Sequence, residues 1–417
     1  MIRLSMDKLA ELLASRLKPG EGRLFIPGGP GEPLGLLEAF RRSPDLAAGA
    51  TFVGPHVPGI NRTDWAGLHA EARAEGTFLS ADWRPSFEAG RFALRPLTWR
   101  QTYDWLGETP LDLAVFVVSA PDSDGEVSLG VASDLAPAVL ARPGLLRAAI
   151  VNPNMPHVQG ATVPLSAFDL IAEDDTPLLG YDAGDLDPAF ETIKQRLAEI
   201  MPTGASVQFG LGKAGVAALQ ALDGLKGLRI HSGMVTDPLL PVLESGALTE
   251  VVTGLAAGSP GLYARCAEDR RIRFEPSNVT HDIRVLAQIP RLVAVNSALE
   301  VDLLGQANAE FQGGRQISGT GGLTDFLRGA RLSDGGLPIL ALPATAKGGA
   351  ISRIVLRLGE GAVSVSRADV GLVITEHGVA DLRGRTLDER AEALIGVAAP
   401  QHRDGLADAW AGLRRKI

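Results

Sequence analysis

A chain of 417 residues is longer than one ordinary hydrophobic core organises, so two domains of about 200 residues each are expected. With 45% hydrophobic residues, 21% charged residues and a formal charge of −9, it reads as a soluble globular protein without the basic face that nucleic acid requires, so any polyanionic ligand must be held by a local basic site. The single cysteine, Cys266, excludes an intrachain disulfide framework and a clustered thiolate metal site, is read as inert, and suits a reducing, cytoplasmic setting.

Near the N-terminus, Arg3, Asp7, Lys8, Glu11 and Arg16 interrupt any apolar run, so no secretory signal is expected. The most apolar window, Leu111 to Ala120, contains Asp112, and no stretch is long enough to span a bilayer, so no membrane partner is expected. Leu24-Phe25-Ile26, then Gly28-Gly29-Pro30-Gly31-Glu32-Pro33, then an amphipathic stretch from Leu34 to Phe40 predict strand, turn and helix. The same grammar returns in Val207-Gln208-Phe209, Gly210-Leu211-Gly212-Lys213-Ala214-Gly215 and a helix from Val216 to Leu222. Two such openings predict an α/β fold: two similar open α/β domains, 1–185 and 186–417, each with a largely parallel sheet.

Further short buried strands are predicted at Val115 to Val118, Ala149 to Val151, Leu228 to Ile230, Val251 to Thr253, Leu292 to Val295, Ile339 to Leu342 and Leu372 to Ile374. Most run directly into Gly, Pro, Asn or Ser, which gathers ligand loops at the carboxyl ends of the strands. The acidic, proline-bearing segment from Glu173 to Pro188 is the linker candidate, with a helix from Ala189 to Ile200 after it. Thr386 and Glu389 predict a capping box for a helix through Val397. Leu406, Trp410 and Leu413 form one packing stripe in the last helix.

Chemistry concentrates between Asn296 and Arg353. Glycines at 319, 321 and 322 let backbone N–H groups crowd together, as an oxyanion or phosphate site requires. Glu300 and Asp302 follow a buried strand and read either as functional acids or as carboxylates satisfying loop amides. Lys347 stands in a Gly-rich turn after a strand, placed for phosphate or a developing oxyanion, or simply solvated. Gly210 to Gly215 matches G-x-G-x-x-G, but the acid that would hold a nicotinamide ribose is missing, because Leu228-Arg229-Ile230 runs into His231-Ser232-Gly233-Met234. No NAD is therefore expected, while a helix N-terminus and Lys213 still offer themselves to phosphates. His377, in Thr375-Glu376-His377-Gly378, reads as a structural histidine before a general base. The histidines at 56, 69, 157, 231, 281 and 402 show no metal-ligand spacing, so no metal is expected.

Together these residues resemble the acetyl-CoA hydrolase/transferase family of class I CoA-transferases over nearly the whole chain. The resemblance is carried by Gly31-Glu32-Pro33, Asp124-Gly125, Ser128-Leu129-Gly130, Val151-Asn152-Pro153-Asn154-Met155-Pro156, Gly210-Leu211-Gly212, the block from Asn296 to Arg353, and Thr375 through Gly384. It implies an active site at the domain interface, coenzyme A as a substrate bound mainly by the second domain, a small carboxylate as the other partner, and a homodimer or higher homo-oligomer. CoA contacts would fall on Gly210, Leu211, Gly212, Lys213, Ala214, Ser318, Gly322 and Lys347, with the Gly321 and Gly322 amides polarising the thioester carbonyl.

One departure bears on mechanism. Similar transferases carry a nucleophilic glutamate in a His/Tyr-Ser-Glu-Met/Val segment that forms an acyl anhydride and then a glutamyl-CoA thioester. Here the segment reads His231-Ser232-Gly233-Met234, and a glycine has no side chain with which to attack. Glu300, Glu310 and Glu244 are the candidate substitutes. Water directed by His231 or Glu300 would instead give hydrolysis, and a weakly active or non-catalytic CoA-ester binder is the third possibility. The acyl-binding pocket would draw on the first domain around Asn61, Arg62 and Asp82-Trp83-Arg84. The loop Gly212-Lys213-Ala214-Gly215 also diverges, standing where similar proteins carry a Gly-Ala-Ile-Pro type of loop.

Overall fold

The computed structural model describes residues 2–17, 20, 22–359 and 361–417. Contacts divide the chain into two compact units. One holds the chain up to Asp182 with Gly233–Asp237 and Val252–Thr280, and the other holds Ala183–Ser232, Pro238–Val251 and His281–Ile417. Where the sequence predicts a single division at 185, the contacts divide first after Asp182 and count two further segments with the first unit.

The first unit is built on eight strands, β1 (Ile2–Arg3), β2 (Arg23–Phe25), β3 (Thr51–Val53), β4 (Arg73–Gly76), β5 (Phe92–Leu94), β6 (Leu113–Val118), β7 (Leu146–Val151) and β8 (Leu170–Glu173). They stand in the order β1-β8-β7-β6-β2-β3-β4-β5, and every neighbouring pair is parallel. A parallel strand covered on both faces needs a continuous apolar run, and β6, Leu-Ala-Val-Phe-Val-Val, is buried at every position. β4, Arg-Ala-Glu-Gly, has no such run. Its Glu75 instead takes bidentate hydrogen bonds from Arg23 (2.7 and 3.0 Å) and two from Arg95 (3.0 and 2.7 Å). Burial pushes the Glu75 carboxyl up, yet these two guanidiniums bring it below the usual carboxylate range.

From β2 the chain winds outward through β3, β4 and β5, then returns to the other side of β2 at β6. The loop leaving β2 therefore lies at a topological switch point, where α/β sheets open a crevice. That loop is organised by Asn61, which is fully buried rather than exposed to a pocket. Its Oδ1 accepts from the amides of Gly29 (2.8 Å) and Val57 (2.9 Å), and its Nδ2 donates to Gly29 O and to Glu32 (both 3.0 Å). The other Glu32 oxygen accepts from the Trp65 indole at 2.9 Å.

The second unit repeats the winding. Its strands are β9 (Ser206–Phe209), β10 (Leu228–Val235), β11 (Leu248–Ala256), β12 (Leu292–Asn296), β13 (Leu337–Ala341), β14 (Leu372–Thr375) and β15 (Gly378–Asp381), in the order β11-β10-β9-β12-β13-β14-β15. β9 pairs in parallel with β10 and β12, β12 with β13 and β13 with β14, while β15 closes the edge as an antiparallel hairpin. β10 and β11 run past Ser232 and Val251, where the second unit's own segments end. The chain leaves β9 in one direction and returns on its other side at β12, so the loops after Phe209 and Asn296 flank this unit's switch point. The predicted helices are present as Leu34–Arg42, Pro188–Ile200, Lys213–Gln220, Leu387–Val397 and Pro400–Arg414. The Thr386/Glu389 capping box is made in both directions, at 3.3 and 2.8 Å.

In the first unit Asp134 is a buried carboxyl that accepts from Trp99 Nε1 (3.1 Å) and from the Leu135 amide (2.9 Å). Burial pushes its pKa up to about 6, outweighing the lowering by those hydrogen bonds. The folded state thus holds the proton where the unfolded chain has released it, so this group's stability is full below the ordinary value of 3.8 and lost as pH rises through about 6. Comparing denaturation of the wild type and Asp134→Asn from pH 4 to pH 7, the wild type should lose on the order of 1–3 kcal/mol relative to the variant. A difference between the two proteins that does not change with pH would show that the carboxyl titrates normally.

Candidate active site

The strand ends of the second unit bring the predicted residues into order. β9 ends at Phe209, and the Gly210 amide donates to Val295 O at 3.0 Å. Beneath the loop the side chains of Gln208 and Asn296 bond each other, Asn296 Nδ2 to Gln208 Oε1 at 2.8 Å. A Cβ on Gly210 would lie 3.1 Å from Asn296 Oδ1. Gly212, at φ +87°, starts the helix Lys213–Gln220 with no side-chain cap. A Cβ on Gly215 would run into the Gly210 carbonyl oxygen. The three glycines of the G-x-G-x-x-G loop thus serve a close approach, a left-handed turn and a tight helix packing.

Lys213 is the first residue of that helix and reaches Asp187 Oδ2 at 3.2 Å. Asp187 Oδ1 accepts from the Phe190 amide at 3.1 Å and so caps the helix Pro188–Ile200. The half-buried Arg353 guanidinium is pushed down by burial and pulled back by Asp187 and Glu376. Glu376 in turn accepts the Ala344 amide at 2.8 Å, and the Arg353 amide donates to Ala344 O at 2.9 Å. Asp187 thus meets Lys213 directly and acts on Arg353, beside the hairpin that carries Lys347, through its charge alone.

That hairpin pairs Thr345–Ala346 with Ile351–Ser352. Its turn takes Lys347, Gly348 and Gly349 through φ of +48°, +66° and +95°. A lysine in the left-handed region is a strained choice worth roughly 1 kcal/mol. The turn is held from the C-terminal helix, His402 Nε2 lying 3.1 Å from Gly349 O.

The glycine-rich loop leads into the helix Leu323–Leu332. Gly321 has φ +52°, and Gly322 is the N-cap. Gln316 Nε2 holds the loop by donating to Ser318 O (2.8 Å) and Glu310 Oε2 (3.1 Å). The helix runs on into β13, so its N-terminus and the Gly321 and Gly322 amides lie toward the carboxyl ends of the strands.

The acids separate by environment. Asp302 is fully buried and accepts from the Leu304 and Gln306 amides and the Gln306 side chain, at 3.1, 2.9 and 2.9 Å. Glu310 is buried and accepts from Ser364 Oγ (2.7 Å) and Gln316. Glu244 lies exposed at the end of the helix Leu239–Glu244. Glu300 is half-buried with a bond from Asn308 Nδ2 at 3.0 Å, and its neighbour Val301 donates to Arg353 O at 2.8 Å.

His231, Ser232 and Gly233 lie inside β10, which extends well past the predicted end at Ile230. Ser232 Oγ donates to Phe209 O at 3.1 Å, tying this strand to the end of β9. The half-buried His377 has its ring 3.7 Å from Glu376 Oε1. Sequence reading singled out His377 and passed over Glu376 and Asp187, whose partners are distant in the chain. Cys266 is buried, and burial pushes its thiol up to about 12, so no thiolate forms. Among the described residues no group of three or more His, Cys, Asp or Glu is placed to hold a metal ion, and no helix is long and apolar enough to cross a membrane.

Residues 258–410 match the acetyl-CoA hydrolase/transferase C-terminal domain. A 4-hydroxybutyrate coenzyme A transferase of Clostridium kluyveri is 32% identical over 410 residues, 95% of each chain. The crystal structure of RipA from Yersinia pestis superposes with a TM-score of 0.90 at 27% identity, over 99% of this chain and 98% of that one. A 4-hydroxybutyrate CoA-transferase structure from Porphyromonas gingivalis gives 0.80 at 29%, over 100% and 98%. The chain belongs to the acetyl-CoA hydrolase/transferase family of CoA-transferases.

The packing at Gly215 sets a direct test. Gly215→Ala should push the helix Lys213–Gln220 off its loop, lowering stability by about 1–3 kcal/mol and weakening binding of acetyl-CoA in calorimetry. Unchanged stability and affinity would show that the loop tolerates a side chain there.

Proposed function

We propose that this protein moves coenzyme A between an acyl-CoA thioester and a small carboxylate. Gly210, Leu211, Gly212, Lys213, Ala214, Ser318, Gly322 and Lys347 hold the CoA ester, and the amides of Gly321 and Gly322 polarise its carbonyl. The observation that carries this reading is the second unit's switch point. There the Gly210–Gly215 loop meets the start of a helix whose first residue, Lys213, reaches Asp187, while Glu376 after β14 holds the Ala344 amide before the Lys347 hairpin. A homodimer in the cytoplasm is the working form that the family implies.

Gly233 limits how the transfer runs. With no side chain at 233, and with Glu310 engaged by Ser364 and Gln316, two routes are favoured for transfer over the exposed Glu244 at the end of its helix. Glu300 can attack the thioester, or the acceptor carboxylate can do so itself. In the second route a carboxylate oxygen bonds to the acyl carbon and CoA leaves as the thiolate, giving a mixed anhydride. The thiolate then attacks the acceptor's carbonyl carbon, and the donor acid departs with the bridging oxygen. The glycine also favours a second reading, in which a water activated by Glu300 or His231 hydrolyses the ester.

Borohydride treatment in the presence of acyl-CoA, followed by peptide mapping, separates the routes. Reduction at Glu300 indicates an enzyme-bound thioester. Transfer without trapping, and with intersecting initial-rate lines, indicates direct attack by the acceptor. Steady CoA release with no acceptor indicates hydrolysis. Lys347→Ala should raise KM for the CoA ester by about tenfold, the loss of one charge-assisted contact. A protein that neither binds nor turns over any acyl-CoA would overturn the assignment.

A further inference from the structure

We propose that His281 is the positioning residue for the Gly319–Gly322 loop, its ring forming the wall that fixes where the amide of Gly322 points. The inference rests on the reading above, in which that amide faces the thioester carbonyl.

The helix Leu323–Leu332 sits unusually low against the segment from His281 to Leu286, and two glycines allow it. A Cβ on Gly322 would lie 2.7 Å from both Cδ2 and Nε2 of His281 and 3.0 Å from Phe326 Cε2. A Cβ on Gly329 would run into the Leu286 side chain. Positions 322, 326 and 329 recur at helical spacing and share one face, so a single short segment supports this helix at both of its ends.

His281 cannot easily swing away. It is 4% exposed, and its ring lies 4.6 Å from the Phe326 ring at a 53° tilt. Asp282, next in the chain, accepts from the Arg284 amide at 2.9 Å and caps the turn Ile283–Leu286, which fixes the backbone that presents the ring. The His281 ring, the Phe326 ring and the bare Gly322 backbone therefore form one packed contact. Its thickness sets the height of the helix N-terminus.

An amide aimed at a developing oxyanion must be correctly placed to be effective, and a loss of placement appears in kcat before binding. The test uses the full-length protein, its acyl-CoA turnover and its thermal unfolding. His281→Ala should lower kcat by about tenfold to a hundredfold with KM for the CoA ester changed by less than about threefold. Gly322→Ala alone should also be slow, because its methyl meets the histidine.

The double variant Gly322→Ala/His281→Ala carries the decision. With the ring removed the methyl has room, so it should run at least about tenfold faster than the product of the two single losses predicts, a coupling of about 1.4 kcal/mol. Losses that simply multiply, or a His281→Ala protein changed only in melting temperature, would overturn the role assigned to His281. Absence of acyl-CoA binding and turnover in the wild type would instead overturn the function on which the role depends.

Discussion

The contact between Gly215 and the Gly210 carbonyl is the constraint from which the rest of the second unit's site follows. Because Gly215 carries no Cβ, the helix Lys213–Gln220 descends onto the end of β9, and its first residue is brought within reach of Asp187. Asp187 also caps the preceding helix, Pro188–Ile200, and acts on Arg353 through its charge, as does Glu376, which accepts the Ala344 amide. These groups are partly exposed, so each pair adds at most about 1 kcal/mol to stability. Their effect is geometric. Lys213 after β9 is fixed on Asp187, and Glu376 after β14 is fixed on the Ala344 amide after β13.

Backbone strain supports the same reading. Glycine would take the +48° turn at position 347 without penalty, and two glycines already follow. A lysine persists there because the surroundings enforce its conformation, as strained residues require. Here the enforcing parts are the two-residue ladder at the hairpin base and the His402 ring on Gly349 O. The proposed contact with a CoA ester would give the ammonium held in this strained turn an anionic partner.

Much of this was legible in the sequence because it was local. The runs of β6 and β9, the Gly210 to Gly215 spacing and the Thr386/Glu389 cap each depend on neighbours a few residues apart. Parts that depend on distant partners were not legible. β4 forms because Arg23 and Arg95, remote in sequence, neutralise Glu75. Asn61 reads in sequence as a pocket residue, and the structure buries it with three hydrogen bonds to the loop after β2 and one from Val57 after β3. The segment His231-Ser232-Gly233 lacks strand-forming character of its own and is extended because Ser232 Oγ is anchored to Phe209 O. His281 carried no signal at all, since its meaning lies in the missing side chain of a glycine about forty residues later in the chain.

The acids after β12 show why residue type alone could not assign roles. Asp302 and Glu310 have the same chemistry as Glu300, yet their oxygens are taken up by loop amides and by Ser364, Gln306 and Gln316. Withdrawing either carboxylate to attack a thioester would leave buried donors unpaired, at about 1–3 kcal/mol for each group. Among the described residues Glu300 gives up only the bond from Asn308, whose amide also donates to Phe311 O at 2.8 Å and so keeps a partner. Its carboxylate can therefore move at the cost of one hydrogen bond, which is what the proposed attack on a thioester requires. Its neighbour Val301 donates to Arg353 O and pairs with Ile354, which fixes the backbone that carries Glu300.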